Sequence, residues 1–208
     1  MLAIDHVIYG VRDLDGAAQR LFDEQGLASV PGVIHEGWGT ANRFIPLGET
    51  YIELLGVVNA AEATESPLGK WLEVAVMGGD RLIAWGVASD RLDKLAKRLG
   101  LALQETSRTR EDGVNLSWRS AGLERVMADN SLPFFITWTS PPESHPGRME
   151  ADHKVQASGI SWIELVAPKV KLKEWLGRHD LPIRVEDHGS PGLRAVGIGS
   201  SEGELVLR

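Results

Sequence analysis

The stretch Ile4-Asp5-His6-Val7-Ile8-Tyr9-Gly10-Val11, running on into Arg12-Asp13-Leu14-Asp15-Gly16-Ala17-Ala18-Gln19-Arg20-Leu21-Phe22, decides how this chain is read. Its first part is short, apolar and β-branched, the signature of a strand. Asp13 or Asp15 can cap a helix whose apolar residues Leu14, Ala17, Ala18, Leu21 and Phe22 recur at helical spacing. Gly26 stands just past its end, where glycine commonly stops a helix. The same signal returns at Leu82-Ile83-Ala84-Trp85-Gly86-Val87-Ala88, with Leu92, Leu95, Ala96 and Leu99 as the helical stripe. It returns more weakly at Ile160-Ser161-Trp162-Ile163-Glu164-Leu165-Val166, where the helix is expected over 170–178 with Leu172, Trp175 and Leu176.

Each helix is followed by glycine-punctuated strand material. After the first come 30–35, 42–47 and 50–55, with Gly48-Glu49 as a hairpin signal. After the second come 113–119 and 132–138, and after the third 193–198 and 203–208. The expected fold class is therefore α+β, built of repeated βαβββ modules whose mixed sheets curl around a cleft. Residues 1–138 form the cleft as two paired modules, 1–57 and 80–138. Residues 139–155, with Pro141-Pro142 and His145-Pro146-Gly147, read as a connector. Residues 156–208 read as a third, partial module. Between the first two modules only Lys70-Trp71-Leu72-Glu73-Val74 suggests a short helical turn.

Composition narrows the function. The 208 residues carry 22 Lys+Arg against 29 Asp+Glu, a net charge of −7, which gives no electrostatic case for a nucleic-acid partner. There is no cysteine, so disulfides, thiolate nucleophiles and iron–sulfur clusters are excluded. No apolar run approaches the ~20 residues needed to span a bilayer, and the start lacks the pattern of a secretory signal. The expectation is a cytoplasmic protein without membrane or nucleic-acid partners, acting on a small molecule. No Gly-x-Ser-x-Gly, P-loop or dinucleotide-binding glycine motif is present.

A strand–helix–three-strand unit with His in its first strand and Glu in its last resembles the vicinal oxygen chelate superfamily, which includes glyoxalase I, extradiol dioxygenases and bleomycin-resistance proteins. More narrowly, the chain resembles the glyoxalase-like domain family. The residues that carry this are Asp5-His6 before Val11-Arg12-Asp13-Leu14, the run from His35 through Trp38 to Asn42-Arg43, Tyr51-Ile52-Glu53-Leu54, Arg108-Thr109-Arg110-Glu111-Asp112-Gly113, Pro133-Phe134-Phe135-Ile136-Thr137-Trp138, and His145-Pro146. The resemblance implies paired modules around a cleft which, in metal-using members, is lined by a first-strand His and a last-strand carboxylate. Chemistry varies widely across such folds.

Carried onto this sequence, the expected metal ligands are His6 and Glu53, with His35 as a third. Strand alternation puts Tyr51, Glu53 and Leu55 on one face and Ile52 and Leu54 on the other, so Glu53 faces the cleft if Ile52 and Leu54 pack under the helix. A carboxylate so placed is costly unless paired or bound to a cation. Imidazole plus carboxylate suits Zn, Fe, Mn, Ni or Co. The later modules supply no second pair: Leu82 and Trp162 fall opposite His6. Ile136 or Thr137, and Val206, fall opposite Glu53. The alternative is a hydrogen-bonded His6–Glu53 pair with no metal. His145 and His153 are further ligand candidates.

Trp38 offers a stacking face, Asn42 and Arg43 offer donors, and Tyr51, Arg119 and Trp138 complete the expected substrate-binding set. Arg108 and Arg110 could also meet an anion, but Arg110-Glu111-Asp112-Gly113 reads equally as an exposed turn. Two functions stay open. One is an enzyme of isomerase, lyase or dioxygenase type, with Glu53 as ligand or general base and His35 as ligand or proton carrier. The other is a non-catalytic protein that binds or sequesters a small molecule in the same fold. An incomplete third module would expose a sheet edge, which points to a homodimer.

Overall fold

The computed structural model describes residues 1–110 and 112–208; Glu111, in the expected turn, lies outside the described residues. Strand β1 (Leu2–Val11) leads through Asp13, whose side chain accepts from the Gly16 N–H, into helix α1 (Leu14–Gln25), and Gly26 caps the end. Strands β2 (Val30–His35), β3 (Thr40–Pro46) and β4 (Tyr51–Val57) follow. A short helix α2 (Ala60–Ala63) and helix α3 (Pro67–Ala75) come next. Helix α3 is longer than the turn expected at 70–74. Ser66 caps it by accepting from Gly69 N–H, and Pro67 fits the first turn.

The pattern repeats as β5 (Arg81–Ser89), α4 (Leu92–Leu99), β6 (Leu103–Thr109), β7 (Asn115–Ala121), α5 (Leu123–Ala128) and β8 (Phe134–Trp138). Together these strands make one sheet in the order β2-β3-β4-β1-β5-β8-β7-β6. The halves mirror each other about the antiparallel β1–β5 pair. In each half the last strand lies parallel to the first, β4 beside β1 and β8 beside β5. This is the α+β architecture of curled mixed sheets that the sequence leads one to expect.

Beyond two 3-10 turns at Pro142–Ser144 and Pro146–Arg148 come β9 (Ala157–Val166), α6 (Lys169–Leu176), β10 (Ile183–Glu186), β11 (Gly192–Ser200) and β12 (Leu205–Leu207). The element order of the third unit is complete, but its pairing differs. Its sheet runs β10-β9-β11-β12, with the strand after the helix, not the last strand, parallel to the first.

The third sheet packs on the back of the large one. Val7, Trp85, Val87 and Phe135 share a single core with Ile163 and Val196, between α1 and α4. Ile52 and Leu54 belong to the same core. The opposite face of the large sheet buries a second cluster, including Ile8, Leu55 and Phe134, under Leu68 and Leu72 of α3 and Val126 of α5. Among the described residues no helix is long and apolar enough to cross a membrane.

Candidate active site

With Ile52 and Leu54 committed to the back core, alternation turns Tyr51, Glu53 and Leu55 of β4 toward the curled face. There they line a cavity of about 120 Å³. Trp118 and Ser120 of β7 and Phe134, Ile136 and Trp138 of β8 form the facing wall. His6 enters from β1. No residue beyond Trp138 lines the cavity among those described.

His6 and its neighbour Asp5 would point to opposite faces of a regular strand. The pairing of β1 with β5 slips here: Ile4 stands opposite Val87, and His6 opposite the very next residue, Gly86. Asp5 is the extra residue of a β-bulge, and such bulges re-aim side chains. As a result Asp5 Oδ1 accepts from His6 Nδ1 at 2.5 Å, both groups being buried. The other carboxylate oxygen accepts from Trp138 Nε1 at 3.1 Å and His145 Nε2 at 3.4 Å. His145 takes the Gly147 N–H on Nδ1, which leaves its Nε2 as the donor. Burial alone would raise the Asp5 carboxyl. The hydrogen bonds from His145 and His6 outweigh it and hold the group far below the usual carboxylate range.

Asp5 thereby fixes the proton of His6 on Nδ1 and leaves Nε2 aimed at Glu53 Oε2, 3.7 Å away. The imidazole is stacked on Tyr51, ring centroids 4.4 Å apart at 16°, and touches Phe134 edge-on. Glu53 Oε1 is held by Asn42 Nδ2 at 2.8 Å, while Asn42 Oδ1 accepts from Val33 N–H at 2.7 Å. Gly32 makes room for this clamp, since a Cβ there would lie 2.0 Å from Asn42 Oδ1. Glu53 thus has one tethered oxygen and one facing His6. Two acceptor lone pairs meeting across 3.7 Å call for a shared proton or a ligand's donor between them.

His35 also lines the cavity, its Nδ1 2.8 Å from Thr40 Oγ1. Burial lowers its pKa, with Arg108 adding to the effect and Glu53 opposing it, so the ring is held neutral. Burial raises the Tyr51 hydroxyl well above its ordinary value, and Asp5 and Glu53 add to this. Tyr51 is therefore a neutral wall. Trp38, 40 % exposed, stands at the rim with the Arg108 guanidinium 5.3 Å from its ring centroid.

Two residues expected in the cleft face away from it, for one reason. Arg43 follows Asn42 on β3, so alternation sends it to the back, where it bonds Ser29 and Asp15. Arg119 lies between Trp118 and Ser120 on β7 and turns outward to a bidentate pair with Asp93 at 3.0 and 2.7 Å. His153 ties down the connector, accepting from Ala28 N–H and donating to the Pro46 carbonyl. Trp162 packs in the third sheet, donating to Glu204 at 2.6 Å. Among the tryptophans, Trp118 and Trp138 line the cavity, whereas Trp85 is sealed in the back core. Sequence reasoning missed Asp5 and Trp71; only the register slip reveals the first.

His6 and Glu53 offer two converging donors. Among the described residues no three His, Cys, Asp or Glu side chains converge to hold an ion. Three protein ligands are the usual minimum for catalytic zinc, so this donor set does not fit a resident catalytic metal.

Known proteins share the fold. A hypothetical protein from Staphylococcus aureus has a TM-score of 0.73 at 17 % identity, over 98 % of this chain and 92 % of that one. Methylmalonyl-CoA epimerase from Mycobacterium tuberculosis aligns with a TM-score of 0.46 at 19 % identity, over 67 % and 89 %. A Streptomyces coelicolor methylmalonyl-CoA epimerase in complex with 2-nitronate-propionyl-CoA gives 0.48 at 16 %, over 66 % and 97 %. At these identities the likeness speaks for the fold alone. No curated protein sequence matches the chain. The sequence profile of the glyoxalase-like domain matches residues 4–179, and the chain belongs to that family.

Proposed function

We propose that the cavity is the active site of an isomerase-type enzyme that moves a proton at a carbon next to a carbonyl of a small organic molecule. The observation that supports it is the Glu53 Oε2 oxygen, 3.7 Å from His6 Nε2 inside a largely apolar cavity. Glu53 takes the proton from carbon, and the C–H electron pair moves into the carbonyl to give an enolate. His35 is neutral in its buried setting, and in the tautomer that accepts the Thr40 hydroxyl on Nδ1 it presents Nε2–H to the enolate oxygen. His6 Nε2 then accepts the proton held by Glu53 and delivers it to the neighbouring position of the enolate on the same face, which moves the double bond. Asp5 is a positioning residue that keeps His6 in the required tautomer.

The test is hydrogen–deuterium exchange. The methyl protons of 2-acetonaphthone, a ring-bearing ketone with an enolisable methyl group, are followed by NMR in D2O. The protein should accelerate exchange over buffer, and Glu53→Gln should lower the acceleration by roughly 10²–10⁴-fold. Absence of acceleration with the native protein contradicts the proposal. It favours the second reading, a sequestering protein, which the apolar β8 wall of Phe134, Ile136 and Trp138 supports. A homodimer in a cytoplasmic setting completes the proposal. β2 and β6 form the outer edges of the large sheet, and sedimentation tests the dimer.

A further inference from the structure

The walls of the cavity carry one more piece of information, the charge of what it accepts. Among the described residues no lysine or arginine lines it. Alternation has sent Arg43 and Arg119 to the other face, each committed to its own carboxylate. Arg108 lies at the rim against Trp38, its Nη1 donating to the Ser107 carbonyl. The ionisable groups that do face the interior are Glu53, His6, His35 and the neutral Tyr51, with Asp5 directly behind His6. His35 is neutral and His6 turns its Nε2 lone pair to the interior, so neither ring offsets a second negative charge.

The remaining walls are flat and apolar. Trp118 and Trp138 sit with ring centroids 5.4 Å apart at 51°, and Trp71 and Leu68 of α3 close one end. A ligand anion placed here would lose its water, meet no cation and lie beside a carboxylate, each of which is unfavourable. A ring system with a neutral polar group would instead gain aromatic contact and a hydrogen bond.

We infer that the cavity takes an uncharged, ring-bearing carbonyl compound and rejects carboxylates, phosphates and their conjugates of the same size. This deepens the proton-transfer reading and rests on the same cavity. The juxtaposition that carries it is a carboxylate, Glu53, enclosed by tryptophans, with no lysine or arginine among the described residues lining the space.

The test compares two probes of one shape by isothermal titration calorimetry at pH 8: neutral 2-acetonaphthone and anionic 2-naphthoate. The ketone should bind at least about tenfold more tightly. Glu53→Gln, shown folded by its thermal melt, should narrow the gap by strengthening naphthoate. Arg108→Ala should leave both affinities within about twofold. Equal or tighter binding of naphthoate, a naphthoate affinity that collapses in Arg108→Ala, or no binding of either probe overturns the inference. Failure here is distinct from failure of the proton-transfer reading. Selective ketone binding without deuterium exchange removes the chemistry and keeps the ligand class. Exchange with unselective binding does the reverse.

Discussion

Gly86 stands opposite His6 in the β1–β5 ladder, and a Cβ there would lie 2.9 Å from His6 Cε1 and 3.1 Å from its Nδ1. The imidazole occupies the space that a side chain on the neighbouring strand would need. Phe134 closes the same gap, with Cζ 3.0 Å from that Cβ. Neither ring can yield along a flexible chain. Gly86→Ala should therefore tilt His6 off Glu53. We expect deuterium exchange to fall by about tenfold or more and stability to fall by ~1–3 kcal/mol, the range for overpacking a filled core. Urea unfolding and NMR exchange on the same sample check both.

Asp5 gathers three donors and is held ionised by them, so its loss is felt in stability as well as activity. Its folded-state pKa lies below the unfolded value of about 3.9. Its contribution is thus fully present above that pH and is lost as pH falls toward the folded value. Asp5→Asn should cost on the order of 3 kcal/mol near neutrality, as removal of a buried charged partner does. The gap between native and variant should shrink steadily below about pH 4. Denaturant titrations at stepped pH would show a constant gap if Asp5 were not the ionised partner.

His35 gives a second, separate pH signature. Burial, the largest cause, lowers its pKa in the fold. Its contribution is present above the ordinary imidazole value of about 6.5 and is lost as pH falls through the depressed folded value. Native protein should lose stability on acidification from pH 7 with a slope that His35→Gln lacks. Thermal melts across pH 7.5 to 5 compare the two slopes; equal slopes reject the assignment.

Asn42 is the hinge between backbone and base, bonded at once to Val33 N–H and Glu53. Asn42→Ala strands both groups and should cost ~1–3 kcal/mol, the penalty for buried polar groups left unpaired. Asn42→Asp should be worse for exchange, because it sets a second carboxylate against Glu53. Measuring exchange rate and melting temperature for both variants orders them.

Because among the described residues no third ligand joins His6 and Glu53, prolonged treatment with a chelator should leave both exchange and melting temperature unchanged. Elemental analysis showing a stoichiometric transition metal, lost in His6→Ala, would contradict this.

What the sequence disclosed follows from where its periodicity is clean. On β4 the alternation Tyr51-Ile52-Glu53-Leu54-Leu55 separates an inner from an outer face, and it places Glu53 beside the cavity. The same rule, applied to β3 and β7, turns Arg43 and Arg119 outward, whereas their guanidinium donors are what place them in the expected substrate-binding set. β6 stayed hidden because Leu103–Thr109 is an exposed edge strand with almost no apolar face to read. β10 is four residues long, with two half-buried side chains. The Asp5 bulge depends on pairing with a strand 80 residues away in sequence, and strand periodicity predicts the opposite orientation. The third unit repeats the element order but not the strand order, and the element order alone is what the periodicity reads.

The account stands on His6 and Glu53 acting on one proton, and a double-mutant cycle on deuterium exchange of 2-acetonaphthone measures that coupling. Groups acting as a unit are strongly non-additive. The account predicts that His6→Gln combined with Glu53→Gln is about as slow as Glu53→Gln alone. Losses that simply multiply, with both single variants folded, would show two side chains working apart and would contradict it.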